Sequence, residues 1–306
     1  MKVTLISTVK DVAAHIEEFL GSVAAQTRAP DEVIIVDGGS TDGTQELLRR
    51  SEAITLIEER GANISRGRNV AIAAATHDVI AVTDADCVLA PTWLERILEP
   101  IESGADVSMG FTEPIVGGFL QQCLASINLL DVSEVDPARF MPSARSVAFR
   151  RGSIEAAGGY PEWLAVGEDM WVNHRWRELG LDMRFAPDAI VRWRLRPTLM
   201  ATWAQYFRYA RGDAQAGMHP ERHALRFGVY GGLAAALGFR RSWPKAMAAG
   251  GAVAYARRPI QRAWRRMPQT GERAAAAIVV PALMGWIDSA KIAGYIVGLI
   301  DRSTYP

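Results

Sequence analysis

VIAVTDADC, residues Val79 to Cys87, is a short apolar run that ends in two carboxylates one residue apart. The first four residues are of strand type. In an extended backbone the side chains at i and i+2 share a face, so Asp84 and Asp86 would aim two hard oxygen donors at one point where a strand leaves the core. Such a pair suits Mg²⁺ or Mn²⁺, which takes a couple of carboxylates and fills the rest of its shell from a diphosphate. Asp-x-Asp is equally the composition of a solvated turn, and the neighbouring sequence has to decide between the two.

Upstream, Val3 to Ser7 reads as a buried strand, and Asp11 can cap a helix whose Val12, Ile16, Phe19, Leu20 and Val23 fall on one stripe. Val33 to Val36 is a second strand, ending in Asp37-Gly38-Gly39-Ser40-Thr41-Asp42-Gly43-Thr44, and Ile54 to Ile57 a third. Strand and helix alternate at βαβ spacing, which predicts an α/β chain with a mostly parallel sheet. Ligands of such sheets sit beyond the carboxyl ends of the strands, where Thr8, Asp37 and the Asp84/Asp86 pair all fall. Asp37 with its two glycines either lets the backbone pass close to a flat ring or simply closes a turn. In Gly61 to Ala71, GANISRGRNVA, Arg66 and Arg68 point apart on a helix, and Arg68 is the one assigned to phosphate or nucleotide.

Downstream, Trp93, Ile97 and Ile101 make a helical stripe after Pro91, 106–110 can add a strand, and 118–130 a helix. Ser143 to Arg151 reads as a strand. Gly167-Glu168-Asp169 opens a helix that stops at Gly180. Acids at a helix start are favoured by its dipole, so Glu168 and Asp169 are either a cap or the place where a general base is held.

Four pieces in order, the first strand ending near Thr8, VDGGSTDGT, SRGRN and TDAD, together resemble the nucleotide-sugar-binding half of family 2 glycosyltransferases, over roughly residues 1–215. The resemblance implies a GT-A fold, a Rossmann-like sheet with flanking helices, followed by a helical C-terminal region. It implies that Asp37 contacts the base, that Thr8 and Arg68 assist, and that Asp84 and Asp86 engage ribose and a metal-bound diphosphate. Glu168-Asp169 is similar to the family's Glu-Asp motif, which makes Asp169 the base toward an acceptor hydroxyl and Glu168 its support. The implied activity is an inverting hexosyl transfer, with Mg²⁺ or Mn²⁺, from a nucleotide-diphosphate sugar to a saccharide or lipid-linked acceptor in envelope glycan or glycolipid synthesis. Where many relatives carry a histidine, this chain has Arg192-Trp193-Arg194, and no third metal ligand is assigned. The alternatives are a nucleotidyltransferase, whose basic phosphate loop STVKD does not resemble, and a non-catalytic sugar-nucleotide- or glycan-binding membrane protein.

The 306 residues hold 34 Lys plus Arg against 34 Asp plus Glu, so no global field points to nucleic acid. Two cysteines are too few for a disulfide framework and fit a reducing compartment. The short apolar start MKVTLISTVKD reads as a strand and not as a signal peptide, which places the catalytic part in the cytoplasm. Composition shifts after Gly217. The expected organisation is a catalytic domain over 1–217, with a nucleotide half at 1–90 and an acceptor half at 91–217, and a helical region over 218–306. The apolar runs 227–239, 246–256, 274–286 and 292–300 flank the basic, Trp-bearing stretch Ala256 to Arg266. They are expected to meet the cytoplasmic face of the cell membrane, against the alternatives of core helices or a dimer surface.

Overall fold

The computed structural model describes residues 1–302, which divide into two compact units. The first joins Met1–Ile115 to Val132–Arg194, and the second joins Val116–Asp131 to the chain from Leu195 onward.

The first unit begins with β1 (Val3–Val9), α1 (Ala13–Ala24), β2 (Glu32–Asp37), α2 (Thr44–Arg49), β3 (Thr55–Glu58), α3 (Ile64–Ala74), β4 (Val79–Val82), β5 (Cys87–Leu89), α4 (Trp93–Glu102) and β6 (Val107–Ile115). After α5 (Phe119–Asn128), which belongs to the second unit, it continues with β7 (Val147–Arg150), α6 (Arg151–Ala157), α7 (Glu168–Glu178) and β8 (Met183–Arg194). The strands form one eight-stranded sheet in the order β3-β2-β1-β4-β7-β6-β8-β5.

From β3 to β4 the pairings are parallel, as helix-linked strands require, while β7 runs antiparallel to both β4 and β6, and β5 antiparallel to β8. The sheet is therefore mixed beyond β4. There only β6 and β8 pair in parallel. The residues of β4 are buried on both faces, which explains their unbroken apolar character. On one face, Ile6, Ile34, Ile80 and Val82 close over α3, α6 and α7 through Ala71, Ile154, Val172 and Trp176. The chain leaves β1 toward β2 on one side and β4 on the other, so the carboxyl ends of β1 and β4 flank a topological switch point.

The second unit adds α8 (Leu199–Ala216), α9 (Pro220–Gly238), α10 (Ser242–Arg266) and α11 (Thr270–Arg302) to α5. Helix α11 is its spine. Gly294 and Gly298 lie so close to α8 that an added Cβ would come within 2.1 Å of the Phe207 carbonyl oxygen and 2.4 Å of that of Arg211. This contact groups α8 with the C-terminal helices, so the composition change at Gly217 falls within the second unit, at the end of α8, whereas the units part at Arg194.

Candidate active site

The site begins at the switch point. Helix α3 starts at Asn63, whose side chain accepts from Arg66 N–H at 2.9 Å. Its first turn presses on β1: a Cβ on Gly67 would lie 2.8 Å from Thr8 Cγ2, so only glycine lets α3 approach the end of that strand. Thr8, Gly38, Asn63 and Gly67 line a pocket of about 420 Å³ beside this contact.

Asn69, two residues on, is clamped in both directions: its side chain donates to the Tyr160 carbonyl at 2.9 Å and accepts from Tyr160 N–H at 2.9 Å. Asn63 likewise donates to the Glu162 carbonyl at 2.7 Å. These bonds tie α3 to the loop that leads into α7. Gly167, with φ of +93°, turns that loop into the helix and places Glu168 and Asp169 in its first turn.

The consequence is a buried ionic bridge. Arg68, only 1% exposed, donates to Glu168 at 2.5 Å and to Asp84 at 2.9 Å, with its guanidinium 5.2 Å from the centre of the Tyr160 ring. Burial alone would lower the arginine's pKa; Asp84 and Glu168 outweigh it and drive the pKa above its ordinary value, so the charge is fixed. Burial and then the adjacent Asp169 push Glu168 above the usual carboxylate range, opposed by Arg68. Arg66, by contrast, is solvent-facing and pairs with Glu59 at 2.9 Å. Of the two arginines Arg68 is the buried one, and it spends its donors on carboxylates of the protein itself.

Asp84 and Asp86 do not continue the strand. Cys87 N–H donates to the Asp84 carbonyl at 3.1 Å, closing a turn after β4, and the extended-backbone reading of TDAD is corrected accordingly. What orients the acids is the next layer. The register of β5 on β8 sets Cys87 opposite Trp193, and the Trp193 indole N–H donates to Asp86 at 3.2 Å. Arg145 stacks on the same indole at 4.1 Å and brings Nε to 3.9 Å from Asp84. Its neighbour Ala144 donates its N–H to Asp169 at 3.3 Å. The loop before β7 thus touches Asp84 and Asp169 from adjacent residues.

Asp37 is fully buried, and its own loop occupies it: Gly39 N–H, Ser40 N–H and the Gln45 amide donate to Oδ1 at 2.8, 2.9 and 2.6 Å, and Ser40 Oγ to Oδ2 at 2.5 Å. Burial works against its charge, yet the bonds from Ser40, Gln45 and Gly39 carry its pKa below the ordinary value. The carboxylate therefore shapes the floor beside the pocket. Arg145 and Trp193 escaped the sequence reading as site residues; the one available signal was the Arg-Trp-Arg run standing where a histidine is usual.

Among the described residues no group of three His, Cys, Asp or Glu is gathered. Asp84 and Asp86 are two hard oxygen donors, a set that fits a divalent cation completing its shell from a diphosphate and not one held in a closed cage.

Comparison with known proteins agrees with this architecture. Residues 4–138 match the model of glycosyl transferase family 2. Glycosyltransferase AglE of Haloferax volcanii is 29% identical over 227 residues, covering 71% of this chain and 74% of that protein. The O-antigen chain rhamnosyltransferase RfbN of Salmonella typhimurium is 23% identical over 231 residues, covering 68% and 71%. Among solved structures, the mannosyltransferase PcManGT from Pyrobaculum calidifontis, in complex with GDP-Man and Mn²⁺, superposes with a TM-score of 0.57 at 21% identity, over 99% of this chain and 87% of that one. The fold is GT-A, and the segment that supplies β1 to β4 together with Asp84 and Asp86 is similar to glycosyl transferase family 2.

Proposed function

We propose that this glycosyltransferase moves a sugar with inversion from a nucleotide diphosphate to an acceptor hydroxyl, using Mg²⁺ or Mn²⁺. The acceptor is a saccharide or a lipid-linked glycan met at the cytoplasmic face of a membrane, in envelope glycan or glycolipid synthesis. The observation that carries this reading is the convergence of acids from distant parts of the chain, Asp84 and Glu168 on Arg68, and Asp84 and Asp169 on the adjacent Arg145 side chain and Ala144 N–H.

In this reading Thr8 and the glycine-lined pocket receive the nucleoside, with Asp37 holding the turn that shapes it. Asp86 and Asp84 would hold the cation, which neutralises charge developing on the leaving diphosphate when bound. Trp193 orients Asp86, and Arg68 holds Asp84 while keeping Glu168 in place beneath Asp169. Asp169 takes the proton of the acceptor hydroxyl as that oxygen attacks the anomeric carbon from the face opposite the leaving group. The carriage of GDP-Man and Mn²⁺ by PcManGT supports both a nucleotide-sugar donor and a divalent ion.

The test is thermal stabilisation and donor hydrolysis measured across GDP- and UDP-sugars with Mn²⁺, Mg²⁺ or EDTA. A shift in melting temperature and slow hydrolysis with one sugar, both lost in EDTA, are expected; indifference to every sugar and ion would end the proposal. Trp193→Phe is expected to weaken Mn²⁺-supported donor binding roughly 10–100-fold, the usual consequence of removing a group that orients a metal-binding carboxylate. Unchanged affinity in a calorimetric titration would remove Trp193 from that role.

A further inference from the structure

The second unit contains one helix among the described residues, α11, that is long and apolar enough to cross a bilayer. One side of it is committed within the unit, while Ile278, Ile296 and Ile300 on the other stay exposed. Asp288, near its middle, is 3% exposed and accepts from Arg226 Nε at 2.9 Å, Tyr230 OH at 3.0 Å and Tyr255 OH at 2.9 Å. Between one and three turns further on, Gly294 and Gly298 meet the backbone of α8. The basic stretch at the end of α10 is committed as well: Arg262 donates to the Ser126 carbonyl at 2.6 Å, Arg265 and Arg266 pair with Asp131, and Trp264 donates to the Arg273 carbonyl. The C-terminal half of the stretch that reads as the interfacial element is thus engaged inside the unit, while Arg257 and Arg258 stay exposed.

The α9–α10 hairpin is the opposite case. From Ala224 to Tyr255 a single residue, Ala236, is buried. A helix in water hides an apolar stripe, and this pair hides almost none of its own: Leu237, Trp243, Met247 and Val253 are 78%, 58%, 68% and 69% exposed. Between the two helices runs an apolar groove of about 530 Å³, with Leu233, Phe239, Trp243 and Met247 in its walls. The charge is equally one-sided. From Arg222 to Gly271 there are ten Lys and Arg and no Asp or Glu, in a chain whose totals balance. Arg240, Arg241 and Lys245 stand exposed at the hairpin turn, between Phe239 and Trp243 on one side and Met247 on the other.

We infer that the tip of this hairpin is a docking surface for an anionic lipid bilayer, with Phe239, Trp243 and Met247 entering the interface and Arg240, Arg241 and Lys245 meeting phosphate headgroups. The inference rests on the membrane-facing part of the proposed function and moves it from the helix that could span to the hairpin that cannot. Charge complementarity selects the occupant. In a symmetric contact between two copies this patch would face itself and set its cations against each other, whereas exposed apolar side chains interleaved with arginine suit headgroups above acyl chains.

Flotation of the full chain with phosphatidylcholine vesicles, with and without phosphatidylglycerol, tests it. Binding is expected only with phosphatidylglycerol and is expected to be lost when salt near 1 M is present, where screening shortens electrostatic reach to about 3 Å. The triple variant Arg240→Ser, Arg241→Ser, Lys245→Ser should bind roughly a hundredfold more weakly, since each removed cation near an anionic surface contributes about a factor of five. The pair Trp243→Ser with Met247→Ser should also lose binding, and both variants should keep the native melting temperature and nucleotide-sugar affinity. Equal binding to neutral vesicles, salt-resistant binding that variants leave intact, or self-association without vesicle binding would each overturn the inference. Vesicle binding by a chain that takes no nucleotide sugar would instead sink the proposed function alone.

Discussion

Replacing Asp169 with Asn should lower the transfer rate roughly a hundred- to ten-thousand-fold, the contribution of a positioned general base, while donor affinity stays at the native level. The amide keeps the size of the carboxylate and can still accept from Ala144 N–H, the contact that holds Oδ2 at 3.3 Å. What it loses is the capacity to take a proton, together with one of its two acceptor oxygens, since Met170 N–H donates to Oδ1 at 2.8 Å. Because Asp169 stands in the first turn of α7 and outside the glycine-lined pocket, its neutralisation should leave that pocket intact. Single-turnover transfer alongside equilibrium donor binding separates the two. Native turnover in the variant would remove Asp169 as the base.

Arg68→Met should destabilise the fold by about 3–5 kcal/mol, the range found when one partner of a buried ion pair is removed and the other is left uncompensated. Glu168 is 5% exposed and would remain beside Asp169 with no cation to balance it, and Asp84 would lose its 2.9 Å partner. The double variant Arg68→Met with Glu168→Gln should recover much of that loss, because the stranded charge is gone. Urea unfolding monitored with unchanged m-values gives both numbers. A single variant as stable as the native chain, or a double variant no better than the single, would show that the bridge does not hold this region together.

The parallel half of the sheet was legible because its physics is local. β2 and β4 have unbroken apolar centres, Val33 to Val36 and Val79 to Val82, and their burial on both faces leaves no polar alternation to misread. The acid turn was located correctly but given the wrong backbone. Nothing in Thr83-Asp84-Ala85-Asp86 announces the bond from Cys87 N–H that ends the strand one residue earlier. Helical geometry sets Arg66 and Arg68 apart, yet the partner of Arg68, Glu168, lies 100 residues away, a separation at which sequence carries no pairing information in a single chain. Arg145 and Trp193 depend on the register of β5 against β8, and a slip of one position would turn the indole to the other face. In the C-terminal third, hydropathy drew attention to α11 and to the arginines of 257–266; Asp288 and Asp131, which bind these segments into the unit, look from sequence like interruptions.

The double bond of Asn69 with Tyr160 bears on how such enzymes can be recombined. A chimera that exchanges the residues after β4 for those of a relative, in order to borrow its acceptor preference, would sever α3 from the loop it grips and leave Arg68 facing a foreign helix start. The workable seam has to carry Arg68 and Asn69 along with the borrowed part, so the boundary between donor and acceptor modules, as an engineer would draw it, lies before α3 and not after the aspartates.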